Sequence, residues 1–194
     1  STMGTTQPIR KSEDLEQLKN YYLTQKPNLR NYALICTAVN TALRISDLLL
    51  LKWEQLYDFE LHRFRTHVEL IEKKTGKRCM TALNQPTVHA LSLYLKSLSY
   101  VEPTHYLFTG HLRDTPLCRT QAYRIIKDAS QALHLPEHIS CHSLRKTFGY
   151  HAWLAETNPT LLISIYNHSS FEVTKRYLGI EQDDKDQLFL NLEL

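Results

Sequence analysis

Three stretches carry residue types that could act on a phosphodiester. TALRISDLLLLKW (41–53) holds Arg44 and Asp47, HSLRKTF (142–148) holds His142 and Arg145, and NHSSFEVTKRYLGI (167–180) places Tyr177 nine residues after His168. A fourth stretch, KKTGKR (73–78), sets Lys73, Lys74 and Lys77 around a glycine. Each has an ordinary reading taken alone. Arg44 and Asp47 suit an i,i+3 surface ion pair, His142 a helix cap, Arg145 a solvated charge, His168 a loop histidine and Tyr177 a packing tyrosine. Taken together they suit one reaction. Attack on a phosphodiester gathers negative charge on the phosphorus oxygens, which guanidinium forks match bidentately. Catalysis of such transfers is mostly positioning and charge stabilisation. Arg44 also sits in a segment otherwise apolar for about two turns, where an unpaired guanidinium is costly.

The remaining requirements come from pKa values. A free tyrosine, with a pKa of about 10, is about one part in a thousand phenolate at pH 7, so a tyrosine nucleophile needs cationic neighbours or a base. An alkoxide leaving group needs a general acid. The cluster HISCH (138–142) looks like a metal-ligand set, but the rest of the chain supplies no partners at ligand spacing, and it reads as a loop entering a helix.

The elements that must position these residues are mostly helical. STMGTTQPIRK (1–11) reads as an unstructured lead, with Ser1 and Thr2 before Met3 as a cloning remnant. Ser12 is an expected N-cap, with Glu13 and Asp14 in the first turn of a helix running to about Gln25, where Pro27 stops it. Residues 29–43 read as a buried helix and RISDLLLLKW as a short third one. LYDFELHRFRTHVELIE and CMTAL, rich in aromatic and β-branched residues around KKTGKR, predict a small antiparallel sheet with its hairpin tip at Thr75–Gly76. Helices are then expected from Pro86 to about Ser99, from about Arg119 to Leu133, through HSLRKTFGYHAWLAE, from Pro159, and over 170–178. QLFLNLEL closes the chain as a short apolar stretch. The fold class is mostly α with a small antiparallel β-sheet (α+β).

The 194 residues allow one well-cored domain, with 42% apolar and 22% charged residues. No apolar run approaches a membrane span and no signal peptide opens the sequence. The four cysteines (Cys36, Cys79, Cys118, Cys141) form no CxxC pair, so a reducing cytoplasm is expected, with no disulfide framework. The net charge of +3 is mild. The basic residues concentrate in 63–78, where Arg63, Arg65, Lys73, Lys74, Lys77 and Arg78 outnumber two glutamates.

The four motifs, in this order and spacing, resemble the tyrosine recombinases of the phage integrase family. TALRISDLLLLKW is similar to the first arginine motif, HSLRKTF to the His-x-x-Arg motif, NHSSFEVTKRYLGI to the histidine-to-tyrosine motif, and KKTGKR to the hairpin lysine. The likeness spans about residues 12–180. It implies that Tyr177 is the nucleophile, linked to a 3′ phosphate of DNA. Arg44 and Arg145 would bind the non-bridging oxygens, with a further hydrogen bond from His168. His142 would assist proton transfer from the tyrosine, Lys74 would protonate the departing 5′ oxygen, and Asp47 would buttress the first arginine motif. The family usually has Leu-Gly-His where this chain reads IYNH, with Asn167 in the glycine position; asparagine tolerates positive φ better than most residues.

The resemblance further implies DNA contacts from Lys73, Lys77 and Arg78 on the hairpin, and from Arg119, Arg124 and Lys127 on a helix laid along the groove. A solvated basic face is the plainer reading of that helix. Residues 12–180 would form the catalytic domain, and 181–194 a tail that docks on a neighbouring subunit or packs on its own core. Double-stranded DNA, a homotetramer on it and accessory DNA-bending proteins are the implied partners, with no metal, cofactor or ATP. The implied setting is the bacterial or phage nucleoid. The reaction would be integration, excision or inversion. Two other readings stay open: a DNA-binding regulator that does not cut, and a type IB topoisomerase-like relaxing enzyme.

Overall fold

A computed structural model describes residues 5–112, 114–136 and 138–194. The chain begins with helix α1 (Ser12–Asn20), which continues as a π-helical turn over Tyr21–Gln25, followed by α2 (Leu29–Thr41), α3 (Ile45–Leu49) and α4 (Trp53–Leu56). Strands β1 (Tyr57–Asp58), β2 (Arg63–Phe64), β3 (His67–Ile71) and β4 (Arg78–Ala82) come next. Then come α5 (Gln85–Ser97), α6 (Arg119–Ala132), α7 (Cys141–Leu154), α8 (Pro159–Tyr166), α9 (Phe171–Leu178) and α10 (Ile180–Asn191). Among the described residues no helix is long and apolar enough to cross a membrane.

Helix α2 is the centre. Ala33, Leu34, Ile35, Cys36, Ala38 and Val39 are all buried, so it is apolar nearly all round, as a helix enclosed by others must be. It packs on α5 and α7. Asn28 starts it, its side chain accepting from the Asn31 amide at 3.1 Å. It ends at Ala42 with φ of 55°, a left-handed conformation that costs a residue with a Cβ roughly 1–2 kcal/mol. That reversal releases Arg44 in extended conformation at the start of α3.

The expected single sheet is two separate antiparallel ribbons. β1 pairs with β2, and β3 with β4 in a register that sets Ile71 opposite Arg78. The β3–β4 hairpin turns at Gly76, whose φ of 68° favours glycine. The third sequence helix is likewise two, because the chain turns at 50–52 before Trp53 is buried to open α4.

A smaller second core lies at the C-terminal end: Leu162, Tyr166, Leu178 and Ile180, with Tyr150, Trp153, Phe171 and Tyr177 against it. Gly149 makes it possible, since a Cβ there would lie 2.5 Å from the Tyr166 hydroxyl and 2.8 Å from Leu178. Helices α8 and α9 therefore close directly onto α7.

Three sequence expectations are corrected. Ser12 is the first residue of α1, not its cap, and no side chain caps that end. The lead is docked from Thr6 onward, while residues 1–4 lie outside the described residues. Ile9 is fully buried, its amide donates to Thr147 Oγ1 at 2.9 Å, and its carbonyl meets His151 Nε2 at 2.8 Å. Arg10 pairs with Asp183 at 2.9 Å. One apolar residue with two satisfied backbone groups suffices to fix a short polar segment. The apolar tail, finally, extends a helix rather than packing home: Leu188, Phe189, Leu190, Leu192 and Leu194 are all exposed. Ile9→Ala is expected to cost about 2–4 kcal/mol in urea unfolding, as for other buried Ile truncations; an unchanged midpoint would mean that the lead is not docked.

Candidate active site

The two arginines enter the site from opposite sides of one break in the fold. Arg145, on α7, is buried; its Nε donates to the Ala42 carbonyl at 2.7 Å and its Nη2 to the Ile165 carbonyl at 3.3 Å. Its guanidinium also lies over the Tyr166 ring, 4.7 Å from the centroid. The side chain is fixed before any ligand arrives. Arg44, just before α3, forms an ion pair with Glu72 at the root of the β3–β4 hairpin.

Asp47 does not pair with Arg44. Its carboxylate is buried and accepts from the Lys73 amide at 2.9 Å, so α3 holds the hairpin by both its acid and its arginine. The two arginines, Asp47, Glu72, Asn167 and His168 line a common cleft of about 690 Å³, with β4 along one wall.

His168 comes directly after Asn167, whose φ of 54° ends α8 in the left-handed region. Its Nδ1 meets Thr174 Oγ1 at 3.0 Å, leaving Nε2 for the cleft. Burial lowers its pKa first, followed by the charges of Arg145, Arg44 and Lys74. Both causes favour the neutral imidazole.

His142, in the first turn of α7, is exposed and borders a smaller cleft of about 270 Å³ with Arg119, Tyr123 and Cys141. Its pKa is lowered by desolvation first, then by the charges of Arg119, Lys146, Arg145 and Lys74. The same causes favour its neutral form, which can accept a proton. HISCH thus runs from a loop into the start of this helix.

Tyr177, near the end of α9, is half-buried. Its ring meets the edge of His168 at 5.2 Å and Tyr166 at 5.3 Å between centroids. It borders the main cleft through these two rings and does not line it. Lys74 is exposed at the hairpin tip and its charge reaches both histidines. Lys77 bridges to Asn167 Oδ1 at 2.7 Å, tying hairpin to α8.

The other basic residues named from sequence divide in two. Arg78 is exposed and lines the cleft, and Lys73 is exposed beside it. Arg119, Arg124 and Lys127 are exposed on α6, with the Lys127 ammonium over the Tyr123 ring at 5.5 Å. Sequence reasoning missed Glu72, which it counted only as one of two acids in a basic stretch. It also missed Lys146, whose ammonium lies 4.9 Å from the Tyr177 centroid. The signal for Lys146 was its place inside HSLRKTF, on a helix that must be buried to hold Arg145.

Comparisons with known proteins bear on the family and the fold. A sequence profile of the phage integrase family matches residues 10–183. "Probable integrase/recombinase YoeC" of Bacillus subtilis is 36% identical over 181 residues, covering 93% of each chain. "Tyrosine recombinase XerD" of Mycobacterium tuberculosis is 27% identical over 154 residues, covering 77% of this chain and 47% of that protein, so the chain spans about half its length. Among solved structures, XerA recombinase superposes with a TM-score of 0.73 at 18% identity, over 100% of this chain and 67% of its own. XerH recombinase in a post-cleavage complex with palindromic difH gives 0.71 at 19%, over 90% and 50%. Both have the same fold.

The Arg44–Glu72 pair sets a first test. Glu72→Gln is expected to raise affinity for an oxyanion such as orthovanadate about three- to tenfold by calorimetric titration, because the arginine fork loses its internal competitor; equal affinities would show that Glu72 does not compete.

Proposed function

The chain belongs to the phage integrase family, and on that premise we propose that it cuts and rejoins double-stranded DNA through a 3′-phosphotyrosine. The observation that carries this reading is the convergence of Arg44, Arg145 and His168 on one cleft, with the Tyr177 ring against His168. A scissile phosphate in the cleft would receive the free guanidinium donors on its non-bridging oxygens, and its charge would favour the imidazolium form of His168, whose Nε2–H then donates there as well. Tyr177 Oη attacks phosphorus, and the bond to the 5′ oxygen breaks. The phenolic proton passes to His142 directly or through water, and Lys74 protonates the departing 5′ oxygen. Asp47, holding the Lys73 amide, positions the hairpin that carries Lys74. The phosphotyrosine ester retains the energy of the bond broken, so a 5′ hydroxyl rejoins the strand by the reverse path without ATP.

Lys73, Lys77, Arg78, Arg119, Arg124 and Lys127 would contact backbone phosphates, each neutralised phosphate adding about one unit to the salt dependence of binding. The exposed apolar end of α10 and the residues after it, Leu188 to Leu194, fit a role in docking on a second copy, within a homotetramer on DNA. Integration, excision or inversion at the nucleoid, assisted by DNA-bending proteins, fits this assembly. The docking is tested with Phe189→Asp/Leu190→Asp, which leaves Ile180 and Asp183 in place. Sedimentation on DNA is expected to show monomers only, and unchanged assembly would exclude the tail.

The reaction is tested by trapping. Nicked duplexes drawn from DNA flanking the native gene are incubated with wild type and with Tyr177→Phe. An SDS-resistant protein–DNA adduct is expected in wild type and absent in the variant. An adduct in both would mean that another residue is the nucleophile. DNA binding without adduct in either would favour a regulator that does not cut.

A further inference from the structure

Lys146 stands next to Arg145 in α7, and its side chain projects roughly 100° around the helix from it. It is 5% exposed. Its ammonium donates to the Thr6 carbonyl at 2.8 Å and lies over the Tyr177 ring, 4.9 Å from the centroid. Among the described residues it has no carboxylate partner, and two of its three protons have no acceptor. Burial depresses its pKa. Burying an ammonium without a counter-charge is costly. Anchoring the Thr6 carbonyl alone needs one neutral donor, so that task does not account for a full charge here.

We infer that Lys146 is a positioning residue for Tyr177, its ammonium holding the phenol ring against His168 and Tyr166 and supplying fixed positive charge beside that ring as its proton leaves. The inference rests on the strand-cutting reading. The ring is enclosed on three sides by Lys146, Tyr166 and His168, and the Tyr177 hydroxyl forms no hydrogen bond among the described residues. An ammonium over the ring attracts its neutral face weakly. It attracts the same ring more strongly once negative charge develops on it. The contact thus gains strength along the reaction, the condition for accelerating it. Helix α7 would thereby serve both partners, gripping phosphate with Arg145 and nucleophile with Lys146. The lead takes part through Thr6 and through Ile9, which is fixed on Thr147 and His151 of the same helix.

The test uses Lys146→Gln, which retains a donor for the Thr6 carbonyl and removes the charge, with Lys146→Arg as the conservative variant. Single-turnover adduct formation is measured at saturating nicked duplex, alongside the Kd. Two substrates are used, one ordinary and one with sulfur replacing the bridging 5′ oxygen, whose departure needs no general acid. Lys146→Gln is expected to react about tenfold or more slowly on both substrates, with Kd within about twofold of wild type and a substantial part of the rate restored by Lys146→Arg. Lys146→Met, stabilised by apolar burial, repeats the measurement should Lys146→Gln melt early.

Adduct formation at the wild-type rate would overturn the inference alone. So would a loss abolished by the sulfur substrate, which would place Lys146 at the leaving group. A loss confined to Kd would overturn it too, making Lys146 a phosphate contact. No adduct from wild type on either substrate would overturn the strand-cutting reading and this inference with it.

Discussion

The buried guanidinium of Arg145 is the constraint on which the site depends. It is held by the carbonyl of Ala42, where α2 ends, and that of Ile165, in the last turn of α8. Helix C-termini leave carbonyls without intrahelical partners and carry partial negative charge, so a cation between two of them is favourable. The arrangement requires both helices to stop where they do. Each stops at a non-glycine residue in the left-handed region, Ala42 and Asn167. Each strained reversal delivers a functional side chain to the cleft, Arg44 just beyond Ala42 and His168 just beyond Asn167. Arg44 and His168, proposed to bind phosphate together with Arg145, thus lie one or two residues past two strained helix ends, and both ends are pinned by Arg145.

Charge density is the second consequence. Burial first, then charge, lowers the pKa of both histidines: Arg119, Lys146, Arg145 and Lys74 act on His142, and Arg145, Arg44 and Lys74 on His168. A site this cationic without ligand is costly, and Glu72 answers part of the cost by occupying Arg44. Because Glu72 begins the hairpin turn that bears Lys74, any displacement of its carboxylate by phosphate is felt at the general-acid candidate. Lys77 links the same hairpin to Asn167 beside His168. The hairpin is therefore mechanically connected to both walls of the cleft.

How much of this the sequence revealed depended on whether the signal was local. The helices were legible because their periodicity and punctuation lie within a few residues: Pro27, Pro86 and Pro159 each fall within about two residues of a helix end. The grouping of Arg44, Arg145, His168 and Tyr177 was legible through motif order, since none of their bland readings explains all four together. Asn167 was readable as a positive-φ position because it stands where the family usually has glycine, and asparagine tolerates that conformation. What was not legible involves pairs far apart in sequence. The Arg44–Glu72 pair, the Lys146–Thr6 contact and the docking of Ile9 on α7 join residues whose local context is uninformative. The division of one expected sheet into two ribbons has the same origin, because strand pairing is a tertiary choice made among similar short segments.

Gly149 shows how the second core bears on the chemistry. The space of one methyl group on α7 is taken up by the Tyr166 ring, whose hydroxyl then donates to the Arg145 carbonyl at 2.6 Å. Tyr166 in turn stacks on His168, lies under the Arg145 guanidinium and meets Tyr177. It reacts with nothing in the proposed path, and burial raises its pKa far above the ordinary tyrosine value, so it stays a neutral phenol. A neutral ring is what the position requires. It gives Arg145 a face to rest on without neutralising it, and it separates the charged phosphate-binding wall from the nucleophile's own pocket. The environments of the two tyrosines thus differ: the fully enclosed one braces the cleft, and the half-exposed one, beside an ammonium without a carboxylate partner, is the proposed nucleophile.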